Sequence, residues 1–227
     1  MNAWKNERYV LWDLDGTLTE SAPGIINSVL YALEKMGIYE KDRAKLEAFV
    51  GPPLLESFQR FYGMTPEEAK TGMEYYREYF VEKGMLENQV YPGIPEVLDR
   101  LNQRGYHLAV ATSKPEIYSR RILDHFGLTD RFVYVGGSTL DETRCEKADV
   151  ITYVMETLGI SPKEHPILMV GDRLHDVQGA AVNRIPCLGV LYGYGSREEL
   201  ETAGAVEICG TVAELPEKVE RCFEGLR

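Results

Sequence analysis

Apolar residues along this chain gather in short blocks separated by longer stretches of mixed polarity. Tyr9 to Leu14 (YVLWDL) is a mostly apolar run that stops at the turn-forming pair Asp15-Gly16, as a short strand buried in a parallel sheet would. That strand delivers Asp13 to its carboxyl end. Similar runs at Tyr106 to Ala111, Phe132 to Val135, Ile167 to Val170 and Cys187 to Leu191 predict further strands. Between them, helical periodicity covers Ile94 to Gln103, Glu116 to Phe126 behind Pro115, Lys147 to Leu158, and Asp176 to Asn183. Gly105, Gly127 and Gly159 stand near three of the expected helix ends, where a left-handed residue closes the last turn. Strands alternating with helices predict an α/β fold built on a doubly wound parallel sheet.

The alternation breaks between about Ser21 and Asn88, where helix follows helix with no convincing strand. Residues 21–88 are therefore expected to form an inserted all-helical domain, with 1–20 and 89–227 forming the α/β core. The first inserted helix carries Ile25, Ile26, Val29, Leu30 and Leu33 on one face and stops at Gly37. A later one opens on Thr65-Pro66-Glu67-Glu68, a capping box with proline at the first helical position, and runs towards Gly84. The chain returns to the core through Tyr91-Pro92-Gly93.

Length and charge narrow the function. A chain of 227 residues, 44% hydrophobic, can bury one substantial core and still carry a smaller insertion. Its formal net charge of −11 repels nucleic acid polymers and anionic membranes, so an anionic substrate must be captured locally. The four cysteines, Cys145, Cys187, Cys209 and Cys222, form no C-x-x-C pair, which argues against a zinc site or a disulfide framework. No apolar run approaches the roughly 20 residues needed to span a bilayer, and the start, MNAWKNERYV, has no apolar signal core. A soluble, cytoplasmic protein with reduced thiols is expected. Nothing in the sequence sets its oligomeric state.

Two acidic pairs carry the candidate chemistry. In Asp13-Leu14-Asp15-Gly16-Thr17, Asp13 can attack phosphorus as a carboxylate while Asp15 protonates the leaving oxygen and later deprotonates water. The competing account is an ordinary acidic turn after a strand. Asp172 and Asp176 follow the run ILMV and open a helix, where capping alone would also explain them. Their company tips the balance. Two unit charges about 4 Å apart repel by roughly 4 kcal/mol at an effective dielectric near 20, and a phosphate dianion would add to this. A hard cation resolves the conflict, and oxygen-only ligands around a phosphate point to Mg²⁺. Between the acidic pairs lie donors for a phosphate: the Thr112 hydroxyl, the Ser113 backbone amide and Lys147 at a helix start. Each has a plainer reading, strand-end turn chemistry for the first two and a solvated helix residue for Lys147. If the fourth strand crosses to the far side of the first, Asp13 and Asp172 meet at the switch point where open α/β sheets bind ligands.

The ordered set DLDGT, ATSK, Lys147 and GDRLHD resembles the four motifs of the haloacid dehalogenase-like hydrolase superfamily, over the whole chain. The insertion between the first two motifs resembles the C1 cap subclass, with a Rossmann-like core. The resemblance implies Asp13 as nucleophile, Asp15 as acid/base, Thr112 as phosphate hydroxyl and Lys147 as charge neutraliser. It implies Mg²⁺ held by Asp13, the backbone carbonyl of Asp15, and Asp172, with Asp176 supporting the metal's waters. Dehalogenases of the superfamily lack the second aspartate of the first motif and need no metal, so Asp15 and Asp172 favour phosphoryl transfer. SAPGIINSVLYALEKMGI, GPPLLESF, VATSKPEIYSRRILDHFGL and GVLYGYGSREEL resemble the phosphoglycolate phosphatase-like branch, most of all its 5'-nucleotidase-like members. The substrate implied is a small phosphorylated metabolite such as a nucleoside 5'-monophosphate. Phosphoglycolate hydrolysis and sugar phosphomutation use the same core and stand as alternatives. A phospho-Asp signalling module is disfavoured by the D-x-D spacing and the insertion, and a silent binding module by the intact residue set. Gly51-Pro52-Pro53-Leu54 and Tyr75-Tyr76-Arg77 can face a substrate or pack the inserted domain; packing is the favoured account, since aromatics at helical spacing usually turn inward. His107, His125, His165 and His175 receive no role.

Overall fold

The computed structural model of the protein describes residues 7–141 and 143–225. The outermost residues of the expected core, 1–6 and 226–227, lie outside the described residues, as does Glu142. The chain forms two compact units, Glu20–Gln89 and the remainder, Met1–Thr19 with Val90–Arg227.

In chain order, β1 (Arg8–Trp12) comes first, with Val10, Leu11 and Trp12 fully buried. It ends two residues before the expected Leu14. The Leu14 carbonyl accepts from the amides of Leu18 and Thr19, and this turn removes it from the sheet. The chain leaves for the helical unit through the two-residue strand Thr19–Glu20 and returns through Gln89–Val90. Within the larger unit, the Tyr91 amide donates to the Leu18 carbonyl at 3.1 Å.

The helical unit contains α1 (Ala22–Lys35), α2 (Arg43–Glu47), α3 (Leu54–Tyr62) and α4 (Pro66–Tyr79), the last continuing as a π-helical turn over Phe80–Gly84. α1 buries Ile25, Val29, Ala32 and Leu33. The start of α4 is the reciprocal box expected from T-x-x-E: Thr65 Oγ1 accepts from the Glu68 amide, and the Glu68 carboxylate accepts from the Thr65 amide. Gly24 and Gly84 let α1 and the π turn approach, since a Cβ on Gly24 would overlap the Gly84 carbonyl. Tyr76 is buried and stacks on Phe80, centroids 5.4 Å apart, which makes it core of this unit. Gly51 is exposed and Pro53 precedes α3 as its N-cap.

The larger unit continues with α5 (Ile94–Gln103), β2 (Tyr106–Pro115), α6 (Glu116–His125), β3 (Tyr134–Ser138), α7 (Lys147–Leu158), β4 (Ile167–Gly171), α8 (Leu174–Val182), β5 (Cys187–Val190), α9 (Arg197–Ala203), β6 (Glu207–Cys209) and α10 (Leu215–Glu224). The sheet has the order β3-β2-β1-β4-β5-β6 with every pairing parallel. Leu11 lies beside Ala109 on one side and Met169 on the other. On one face Tyr9, Leu11, Ala109 and Met169 pack with Val150, Ile151 and Val154 of α7 and Val177 and Ala180 of α8. Several boundaries differ from the sequence reading; β2 runs on to Pro115 and β3 to Ser138, past the expected Ala111 and Val135. β3 begins at Tyr134 because Phe132 closes a 3-10 turn over Thr129–Arg131. α8 begins at Leu174, two residues ahead of the expected Asp176, which stays in the first turn. No described helix is long and apolar enough to cross a membrane.

Candidate active site

β1 is flanked by β2 and β4, the point where the winding reverses, and the loops leaving these three strands converge beyond their carboxyl ends. Asp13 is the first residue past β1, and its amide still donates to the Val170 carbonyl of β4 at 2.9 Å. Sheet register thus fixes the backbone under the carboxylate. Lys147, the first residue of α7, extends its buried side chain to Asp13 Oδ1 at 2.7 Å and Asp176 Oδ1 at 2.8 Å. Its Nζ also donates to the Ala111 carbonyl at 3.2 Å. The solvated-helix account of Lys147 is thereby excluded. Burial by itself would lower the Lys147 pKa, but the Asp13 and Asp176 charges outweigh it and the net shift is upward.

Asp172 is fully buried. Its Oδ1 accepts from Thr17 Oγ1 at 3.3 Å and its Oδ2 from the Tyr194 amide at 2.7 Å. Burial, then the charges of Asp176 and Asp13, raise its pKa well above the usual carboxylate value, with the Tyr194 amide opposing. Asp176 is also raised, chiefly by burial, although Lys147 pulls the other way. Its Oδ2 accepts from the Arg173 amide at 3.0 Å, so it caps α8 while facing Lys147 with the other oxygen. Capping and site membership coexist.

Carboxylate oxygens of Asp13, Asp172 and Asp176 lie within 4.8 Å of one another. The Lys147 ammonium bridges two of these three acids, Asp13 and Asp176. Asp172 accepts from two neutral donors, Thr17 Oγ1 and the Tyr194 amide. An all-oxygen, buried, under-neutralised donor set fits a hard divalent cation such as Mg²⁺.

Asp15 sits in the turn after β1, and Lys114 at the end of β2 places Nζ 2.8 Å from Asp15 Oδ2. Thr112 is buried on β2 beside β1, and its Oγ1 accepts from the Lys114 amide at 3.3 Å. Ser113 follows it, half-buried, inside an irregularity of the β2–β3 register between Thr112 and Pro115. Gly16, at φ 79°, carries the turn under Asp172, and a Cβ there would strike the Asp172 carboxylate.

Several contributors escape motif reading. Lys114 follows Ser113 in ATSK, but a lysine after a strand looks like surface. Thr17 ends DLDGT, and only the folded chain brings it to Asp172. In Tyr192-Gly193-Tyr194-Gly195, Tyr192 Oη donates to the Thr17 carbonyl at 3.0 Å. Both glycines of that loop lie so close to Asp172 that a Cβ would overlap Gly16 or Asp172 backbone. The G-x-G spacing was the available signal.

The model of haloacid dehalogenase-like hydrolases matches residues 10–190. A 5'-nucleotidase of Pseudomonas aeruginosa is 44% identical, covering 93% of this chain and 95% of its own. The tyrosine-protein kinase PtkA of Mycobacterium tuberculosis is 36% identical, covering 94% of this chain and 72% of its own. Among solved structures, a predicted phosphatase from Clostridium acetobutylicum has a TM-score of 0.90 at 49% identity, covering 95% of this chain and 99% of that one.

Proposed function

The chain belongs to the haloacid dehalogenase-like hydrolase family, and we propose that it is a Mg²⁺-dependent phosphomonoester phosphatase working through a phosphorylated Asp13. The observation that carries the reading is the buried Lys147 bridging Asp13 and Asp176 at 2.7 and 2.8 Å. Such an ammonium offsets the repulsion between the attacking carboxylate and the incoming phosphate. The Thr112 hydroxyl and the Ser113 amide bind the phosphoryl oxygens. Asp15 gives a proton to the leaving oxygen and takes one from the hydrolytic water. Asp13, Asp172, Asp176 and the Asp15 carbonyl would hold the cation, which when bound supplies positive charge against the phosphate. The unit Glu20–Gln89 is assigned the part of the cap that selects the organic portion of the substrate.

We further propose a nucleoside 5'-monophosphate as substrate, supported by the relative named 5'-nucleotidase, whose likeness extends over nearly both chains. The test is phosphate release with Mg²⁺ across nucleoside monophosphates, phosphoglycolate and hexose phosphates, compared by kcat/KM. A preference for nucleotides supports the substrate, and a flat profile removes it. Asp13→Asn should abolish release from every ester; near wild-type turnover would remove Asp13 as nucleophile. Release to water requires no acceptor protein, so the same assay separates hydrolysis from transfer to a protein.

A further inference from the structure

We propose that Lys114 is a positioning residue for Asp15, pinning one carboxylate oxygen so that the other exchanges the proton with the leaving group and then with water. The inference rests on the phosphatase reading above. Lys114 Nζ stands 2.8 Å from Asp15 Oδ2, with the two side chains only 7% and 14% exposed. Asp15 Oδ1 is buried and has no hydrogen-bond partner among the described residues. The two oxygens of one carboxylate are therefore inequivalent.

The backbone beneath Asp15 is already fixed. The Leu14 carbonyl accepts from Leu18 and Thr19, and the Gly16 amide donates to the Thr19 carbonyl at 2.8 Å. What the turn leaves undetermined is rotation of the Asp15 carboxylate, whose terminal torsion is broad and nearly two-fold. Lys114 removes that freedom from a neighbouring strand. Its own amide donates to Thr112 Oγ1 at 3.3 Å, so the phosphate-binding end of β2 and the acid/base are set by one short segment. Holding a reacting group in its productive orientation is worth a large rate factor, because the entropy is lost before the reaction and not during it.

In the first half-reaction, the Asp13 carboxylate forms a bond to phosphorus as the bond to the leaving oxygen breaks. That oxygen keeps the electron pair and takes the proton from Asp15 Oδ1. In the second, water oxygen bonds phosphorus, its proton passes to Asp15 Oδ1, and the bond between phosphorus and Asp13 breaks. Both aspartates end as they began.

The test compares two esters in Mg²⁺-saturated enzyme. A primary alkyl phosphate expels a strongly basic alkoxide that needs the proton; para-nitrophenyl phosphate expels a weakly basic phenolate that needs it little. Because kcat/KM reports steps through cleavage of the ester bond, Lys114→Met should lose about 100-fold on the alkyl ester and less than about threefold on the aryl ester. Lys114→Arg should recover part of the alkyl loss. Equal losses on both esters, no loss on either, or a rise in KM with kcat unchanged overturns the proposal, the last by making Lys114 a substrate ligand. If Lys114→Met does not fold, Lys114→Gln carries the same comparison with the same criteria. Wild-type enzyme that hydrolyses neither ester removes the phosphatase reading itself, a result distinct from equal losses in the variants.

Discussion

Lys147 Nζ lies 2.7 Å from Asp13 Oδ1 in an ion pair almost wholly removed from solvent. A pair this buried is costly to break from one side, because the remaining carboxylates keep their desolvation penalty and lose their compensation. Lys147→Met is expected to lower the unfolding free energy by about 3–5 kcal/mol in metal-free buffer. Urea denaturation checks this. A change below about 1 kcal/mol would mean that the ammonium is not what holds these acids together.

Metal and proton should compete for the same carboxylates. Asp172 and Asp176 are raised above ordinary values, chiefly by burial. A raised carboxyl binds its proton more tightly in the folded state, so its contribution to stability is fully present below the unfolded pKa of about 4 and is lost as pH rises through the folded value. Mg²⁺ restores what deprotonation removes. The gain in Tm from Mg²⁺ should therefore grow as pH rises above about 4. Thermal melts with and without Mg²⁺ measure it, and a gain that shrinks with rising pH contradicts the assignment.

Gly193 lies against Gly16 and Asp172 with no room for a methyl group. Gly193→Ala should displace the Tyr194 amide from Asp172 Oδ2 and weaken Mg²⁺ binding by at least about tenfold, the effect of losing a group that orients a ligand. Calorimetric titration with Mg²⁺ tests this directly. Unchanged affinity would show that Asp172 is held without that loop.

Thr65 caps α4 far along the chain from the acidic site. Thr65→Ala is expected to cost about 1 kcal/mol of stability while leaving the Mg²⁺ affinity alone. Denaturation together with a Mg²⁺ titration reads both.

Much of the core was legible because each strand announces itself twice, by an apolar run and by the turn that stops it. Asp13 and Asp172 could be placed side by side once the fourth strand was assigned across the first. β6, α9 and α10 were not anticipated. β6 is the three residues Glu207–Cys209, too short to show a period. Packing of Leu200 from α9 and Leu215 and Val219 from α10, and not local pattern, defines that end of the molecule. Among the site residues, those inside acidic motifs could be found by chemistry. Lys114, Thr17 and the Tyr192–Gly195 loop could not, because each acts through a partner distant in sequence: Lys114 on Asp15, Thr17 on Asp172, 155 positions further along the chain, and the loop on Asp172. Strand ends slipped by two residues at Leu14 and Phe132 for the same reason that turns are hard to read: backbone hydrogen bonds, not side-chain polarity, decide them.

The hydrogen bond from the Tyr91 amide to the Leu18 carbonyl closes the core on itself at the place where the chain departs and comes back. The two cut ends are neighbours, as they are wherever one fold accepts another spliced into it. Register of β1, the strand that leads into Asp13, is set by β2 and β4 on either side of it. The splice point behaves as a socket: the inserted piece can be lengthened, shortened or replaced without altering the strand order that brings Asp13 and Asp172 together.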